Sequence, residues 1–220
     1  MNISKLELLT NSVQQTEAFY NEVLKLPVLD KTENSISFSA GKSVLTFKQD
    51  NEVDKPIYHV AFNIPHNQLE EAIEWARNNI ELLSVTEDRL VADFEAWNAN
   101  SIYFYDNNKN LMEFIVRHEL KNDSDVPFSA QSVDCISEIG LVTNDVVKLA
   151  DELMVDYKVP VFFKQPRTDK FVVLGDDYGL LILVENGRNW FPTEVAAVSY
   201  PLKITVSNES SIAEQVIQVF

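Results

Sequence analysis

The side chains able to do acid–base, nucleophilic or metal chemistry are few in this sequence. There are three histidines, His59, His66 and His118, and one cysteine, Cys135. A single thiol permits no internal disulfide and no cysteine-rich zinc site. Cys135 precedes a strand-like run with no histidine motif beside it, so it reads as an inert thiol. His66 stands at a helix start and His118 follows a strand, and both read as surface residues. The five glycines form neither a GxGxxG nor a GxxxxGK[ST] stretch, so dinucleotide and P-loop nucleotide sites have no support. A GxSxG elbow and an HExxH pair are also absent. Histidine, lysine and carboxylate are left as the groups from which a site could be built. Trp97, Tyr103, Tyr105, Phe38 and Phe47 could shape a pocket for a small apolar or aromatic ligand, and each suits an ordinary core equally well. Trp190, Phe191 and Pro192 form an unusual apolar run. It either caps a half-open module or contacts another subunit.

Composition narrows the setting. Of the 220 residues, 45% are hydrophobic and 24% charged, which is the balance of an ordinary soluble globular protein. Eighteen Lys and Arg against 34 Asp and Glu give a net charge of −16, which repels phosphate backbones and anionic lipid heads. Nucleic-acid and membrane partners are therefore not expected. No apolar run approaches the roughly 18–20 residues of a membrane span. The opening MNISKLELLT has neither a basic nor an apolar leader region, and the expectation is a cytoplasmic protein.

The elements that must position any site come as an internal repeat. Residues 6–10 read as a strand. Ser12 then caps a helix, with Gln15 at the capping-box position, and the helix turns Phe19, Tyr20, Val23 and Leu24 inward. Strands follow at 35–39 and 43–48. The same order restarts at 57–64, where Asn67 caps a helix with an apolar stripe of Leu69, Ala72, Ile73, Ala76 and Ile80. Strands are expected near 82–86, 90–95, 101–105 and 111–116. A third copy opens with ISEIGLVT at 136–143 and a helix capped by Asn144 or Asp145, followed by strands at 160–164, 170–174 and 180–184. A fourth start at 202–206 leads into a helix carrying Ile212, Ala213, Val216, Ile217 and Phe220. The polar, proline-containing stretch between copies two and three reads as a linker. The expected organisation is two paired βαβββ modules over 1–120, a linker at 121–131, and a third module with a truncated fourth over 132–220.

Particular segments carry a family resemblance. YFYDNNKNLMEF at 103–114 resembles the closing hairpin of the vicinal oxygen chelate superfamily, which includes glyoxalase I, bleomycin-resistance proteins and extradiol dioxygenases. That hairpin usually reads YF-x-DP-x-GN-x-x-E-F. Tyr103, Phe104, Asp106, Asn110, Glu113 and Phe114 match it, while Asn107 replaces the proline and Lys109 the glycine. TEAFYNEVLKLPV at 16–28 is similar to the family's first helix, and LGDDYGLLILVENGRNWFPT at 174–193 to a degenerate form of the hairpin. The resemblance implies an α+β fold of repeated βαβββ modules whose curled mixed sheets enclose a cleft. It also implies a divalent metal, Fe, Mn, Ni or Zn, held by first- and last-strand residues.

Carried over residue by residue, the resemblance gives His59 and Glu113 as metal ligands from copy two. Copy one offers Lys5 where the family has histidine and Thr46 where it has glutamate. Lysine is no metal ligand at neutral pH. Glu7 lies on the same strand face as Lys5, so Lys5 or Glu7 is the expected acid–base group, and a shifted Glu7–His59–Glu113 site is conceivable. Copy three offers Glu138 and Ile182 and no site of its own. Two functions follow. One is a metal-dependent lyase, isomerase or ring-cleaving dioxygenase. The other is a metal-free protein that binds or sequesters a small molecule, of the bleomycin-resistance type, with Lys5, His59 and Glu113 as a polar cluster. A third reading, a homodimer through copies three and four, follows from the unfinished fourth module, whose strand edge invites another chain.

Overall fold

The computed structural model describes residues 1–207 and 214–219. Strand β1 (Asn2–Thr10) leads to α1 (Val13–Glu17), which widens at Ala18–Val23 into a π-helical turn, then to β2 (Val28–Lys31), β3 (Ser35–Ala40) and β4 (Ser43–Gln49). The second module is β5 (His59–Asn63), α2 (Leu69–Asn79), β6 (Leu82–Leu83), β7 (Ala92–Phe94), β8 (Ala99–Tyr105) and β9 (Leu111–Arg117). The third is β10 (Cys135–Thr143), α3 (Val146–Asp156), β11 (Phe171–Asp176) and β12 (Gly179–Glu185). Two strands, β13 (Leu202–Ser207) and β14 (Gln215–Val219), close the chain. The mixed α+β architecture with one large curled sheet is the fold class the resemblance implies.

Local signals explain several elements. The Ser12 side chain accepts a hydrogen bond from the Gln15 amide at 3.2 Å, and Asp145 accepts from Lys148 at 3.0 Å, so both expected caps form. Asn67 does not cap α2. Its side chain exchanges hydrogen bonds with Ser124, and the cap position falls on Gln68, which makes no side-chain cap bond. Residues 122–128 are thereby pinned to the start of α2. The stretch at 160–164 makes only a single bridge, Val161 with Leu174, and folds over the sheet instead of joining it. In the fourth module Val216 and Ile217 lie on β14, a strand paired with β13, not on a helix. Their apolar spacing fits either period, and pairing with an existing edge decides it. Ile212, Ala213 and Phe220 lie outside the described residues.

In each module the first and last strands are parallel neighbours: β1 with β4, β5 with β9, and β10 with β12. The modules then meet through antiparallel first strands. Sequence order suggests that modules one and two pair. The edges run differently: β5 pairs with β10, joining modules two and three, and β1 pairs with β13, joining modules one and four. A single bridge, Ile3 with Ile136, connects the two halves. β13 has β1 on one side and β14 on the other, so both its edges are used within the chain. Helices cover one sheet face. There Tyr20 packs 5.3 Å from Phe38 and 4.8 Å from Phe47, burying all three rings in core. The opposite face of modules two and three holds the site.

The 106–110 turn ties the halves together. Asp106 accepts from the amides of Asn108 and Asn110, both at 2.8 Å, and from the Tyr20 hydroxyl of module one at 2.8 Å. Asn110 in turn accepts from the Tyr58 amide at 2.8 Å. Lys109, standing where the resembling hairpins have glycine, adopts φ of +67°.

Candidate metal centre

Strand periodicity assembles a buried polar group. His59 and Ala61 are two residues apart on β5 and therefore share a face. Register sets Glu113 of β9 beside Ala61 on one side and Glu138 of β10 beside it on the other. Adjacent strands lie roughly 4.8 Å apart. The small Ala61 side chain between the two carboxylates leaves them room to converge. One ligand atom from each of His59, Glu113 and Glu138 lies within 4.8 Å of the others, and all three residues are buried. His59 and Glu113, both expected ligands, are thus together, with His59 Nε2 3.4 Å from a Glu113 oxygen.

The protonation pattern follows from burial. His59 Nδ1 lies 3.2 Å from the Leu111 carbonyl. Donation there fixes the tautomer and leaves the Nε2 lone pair facing Glu113. Burial lowers the imidazole pKa to about 4, so the ring is neutral at pH 7. Burial, then the Glu138 charge, raises Glu113 to about 8, with Arg117 opposing. Burial raises Glu138 as well, against the pull of Arg117. Tyr103, paired with Glu113 across β8 and β9, is held well above the usual phenol range by burial and by both carboxylates.

Arg117 is fully buried and pairs with Glu138. It also contacts Ser137 Oγ at 3.2 Å and Asp177 at 3.5 Å. A bulge in β10 between Ile136 and Glu138 lets the consecutive Ser137 and Glu138 both reach it. Lys164 extends the network, 2.8 Å from Asp177 and 3.0 Å from Glu119. A cavity of about 400 Å³ opens beside the three ligand candidates, walled by Trp97, Tyr103, Ile182 and Phe191.

Lys5 and Glu7 are not brought to this site. Lys5 is exposed on β1, and Glu7 pairs with Lys48 at 2.8 Å. Neither lines the cavity. Their strand belongs to the other half of the sheet, because module two pairs with module three. The acid–base role expected for them, and the shifted Glu7–His59–Glu113 site, therefore do not match the structure. Glu138 is the residue that local reading passes over. It occupies in module three the strand position that His59 holds in module two, and that equivalence was its one visible signal. Phe38 and Phe47 are helix-side core, while Trp97 and Tyr103 line the cavity. Cys135 is buried, its thiol pushed up to about 11 by burial, as suits an inert thiol. No helix among the described residues is long and apolar enough to cross a membrane.

No family model matches the sequence, and no curated protein sequence matches it. Solved structures do. A putative dioxygenase from Bacillus subtilis superimposes with a TM-score of 0.62 at 15% identity, over 84% of this chain and 63% of that one. This chain therefore spans less than two thirds of that protein's length. A glyoxalase/bleomycin resistance protein/dioxygenase from Alicyclobacillus acidocaldarius matches over 54% of this chain and 92% of its own, at 14% identity and a TM-score of 0.44. The fosfomycin resistance protein FosX of Listeria monocytogenes, solved with Mn(II) and sulfate, matches over 53% and 89%, at 18% identity and a TM-score of 0.41. The first likeness shows that this chain has the glyoxalase/dioxygenase-like fold.

Proposed function

We propose that this chain holds one divalent metal ion through His59, Glu113 and Glu138, and that the adjoining cavity takes a small molecule which meets the ion. The observation that carries the proposal is the convergence of three buried ligand atoms around Ala61. Their chemistry fits a cation. An oriented neutral imidazole and two carboxylates suit Fe(II), Mn(II), Ni(II) or Zn(II) with positions left open. Burial and the Glu138 charge both disfavour an ionised Glu113, and a positive ion offsets both. When bound, the ion supplies Lewis-acid polarisation to a coordinated oxygen. The protein's own groups do the rest. Leu111 fixes the His59 tautomer, Arg117 and Ser137 hold Glu138 in place, and Tyr103 keeps its proton beside Glu113. The aromatic walls exclude water from the bound molecule. A lyase, isomerase or oxygenase reaction belongs to this reading. A homodimer through the outer edge of β14, which pairs only with β13 among the described residues, also belongs to it, as does a cytoplasmic location.

One observation favours a second reading. Glu138 is already neutralised by Arg117, and a protonated Glu113 can donate to His59 Nε2. The cluster is then complete as a metal-free polar wall, and the protein is a binding module of the bleomycin-resistance type. Elemental mass spectrometry after loading with each ion in turn decides between them. The first reading expects about one equivalent of one ion. It expects His59→Ala and Glu113→Gln to weaken uptake by about 100-fold, since even supporting groups around metal ligands are worth 10–100-fold. Glu7→Gln should leave uptake unchanged. No uptake of any ion, or uptake indifferent to His59, overturns it in favour of the second.

A further inference from the structure

The 186–198 loop follows β12 and covers the cavity, and two of the polar side chains it sets on that cavity, Arg188 and Trp190, have no hydrogen-bond or ion-pair partner among the described residues. Trp190 is 5% exposed, yet its indole Nε1 has no acceptor among the described residues. Buried donors in native proteins are nearly always satisfied, so an orphan beside a cavity points to something that enters it. The loop is built to hold this ring. A Cβ on Gly140 would stand 2.4 Å from the Trp190 ring, so glycine reserves its seat on β10. Seated there, the indole lies 5.2 Å from the His59 ring.

Arg188 is the second unpartnered group. It lines the same cavity, with its guanidinium carbon 4.5 Å from the Phe171 ring centroid. It is exposed and makes no ion pair among the described residues, so its donors are free to meet a ligand at the cavity. Nearby cations do find partners: Lys170 meets Glu185 at 2.7 Å, and Arg167 meets Asp151 at 2.7 Å. Phe171 pairs with Val184, and Glu138 with Leu180. Four strand residues, about 13 Å, separate those levels. The guanidinium thus stands over a strand level well beyond the carboxylates. Between them the walls are flat and apolar: Phe94 and Trp97 lie 5.8 Å apart at 30°, and Phe191, half exposed, closes on Phe94 and Tyr103 at 6.0 Å.

We propose that the cavity selects a small, flat, singly anionic molecule, whose apolar body lies among Phe94, Trp97 and Phe191, and whose anionic end is read by Arg188, with Trp190 Nε1 donating to an oxygen of the same ligand. This deepens the proposal above and rests on it only in taking the cavity as the binding site. The selection does not need the ion. Arg188 presents a planar fork of donors suited to a carboxylate or comparable oxyanion. Trp190 is a specificity residue, because a site built to donate a hydrogen bond discriminates against ligands that cannot accept it.

Isothermal titration of the full chain with 2-naphthoate, its neutral amide and the corresponding naphthylmethylamine tests this, in chelator-treated protein and again with Mn(II). The expected order has naphthoate binding at least about tenfold more tightly than the amide, and the amine weakest. Arg188→Gln should bring naphthoate within about twofold of the amide. Trp190→Phe, which keeps a ring on Gly140 but removes the donor, should weaken naphthoate about fivefold. Melting temperatures of both variants confirm that they fold. Equal affinity for the three probes, a preference that survives Arg188→Gln, or no binding of any probe overturns the inference. If no ion is taken up yet the metal-free chain prefers naphthoate, the metal reading fails and this one stands. If an ion is taken up and no preference appears, the reverse holds.

Discussion

Modules two and three use the helix-free face of their sheet for a buried charged cluster, whereas modules one and four set an exposed Lys5 among small, partly covered polar side chains there. The strands are built alike, and both β1 and β10 carry a bulge at the corresponding place, after Ile3 and after Ile136. Beyond it stand Lys5 in one half and Glu138 in the other. Lys5 is exposed, and beside it Glu7 meets Lys48 and Ser37 meets Thr46 at 2.9 Å. In the other half, Phe162, Lys164 and Trp190 fold over the face and leave only the cavity open beside the cluster. Cover decides the chemistry. An ion pair under water is worth at most about 1 kcal/mol, whereas charges under cover must be paired with care and hold perturbed pKa values.

The largest test of that contrast is Arg117→Ala. It strands Glu138 beside Glu113 in a buried site, and removing one partner of such a pair costs roughly 3–5 kcal/mol. Lys48→Ala breaks the exposed pair with Glu7 and should cost no more than about 0.5 kcal/mol. Urea midpoints measure both. Similar losses in the two variants would erase the distinction between the halves.

Next comes the link between them. Burial raises the Asp106 carboxyl to about 6, against the hydrogen bonds it accepts from Asn110 and Tyr20. The folded state keeps this proton up to about pH 6, while the unfolded chain releases it near 3.8. Folding therefore takes up a proton in that window. Stability from this group is full below the window, falls as the pH rises through it, and is flat above. Two pH units correspond to about 3 kcal/mol. Asp106→Asn should remove this component from a stability–pH curve. An unchanged slope between pH 4 and 6 would mean that the turn holds Asp106 ionised and that the link to Tyr20 is ordinary.

A smaller effect probes the cover itself. Gly140→Ala forces a methyl group toward the Trp190 ring, and overpacking of this kind costs about 1–3 kcal/mol. Thermal melts and the naphthoate titration should move together, because the displaced ring is part of the cavity wall. A destabilised protein with unchanged naphthoate affinity would separate the loop's seat from the ligand site.

How much of this was legible in the sequence depends on range. Module starts, the Ser12 and Asp145 caps and the 103–114 hairpin are local patterns, and they form where the residues direct. His59 and Glu113 follow from the hairpin and the strand that opens the same module. Glu138 does not, although its strand position was recognisable, because its value depends on β10 pairing with β5. Pairing between modules is set by the whole sheet, and nothing in residues 136–143 states which neighbour they will meet. The same limit sent Lys5 and Glu7 to the wrong site and made a helix of β14, where an available edge on β13 outweighs an ambiguous apolar pattern. Arg117 was invisible for a related reason, since a cation closing a strand reads as surface until its partners are placed.

The finest test lies at Lys109, where this chain departs from the hairpin pattern it otherwise follows. A left-handed conformation costs a residue with a Cβ about 1–2 kcal/mol. Glycine avoids that cost but loses about 0.5–1 kcal/mol through its freer unfolded chain. Lys109 also gains from its ammonium, 5.5 Å from the Tyr105 ring centroid, an exposed contact worth about 0.5 kcal/mol. These terms leave Lys109→Gly more stable by roughly 0.3 kcal/mol, a rise of about 1 °C in a domain of this size. Lys109→Ala keeps the strain and loses the ammonium, so it should fall below the parent by about 0.5 kcal/mol. The spacing of the three melting temperatures is the informative quantity. If glycine melts below alanine, the turn is relaxed, and Asp106 holds the link between the halves without strain. If glycine stands above both, the turn stores a small strain that its buried hydrogen bonds to Asp106 and Asn110 sustain.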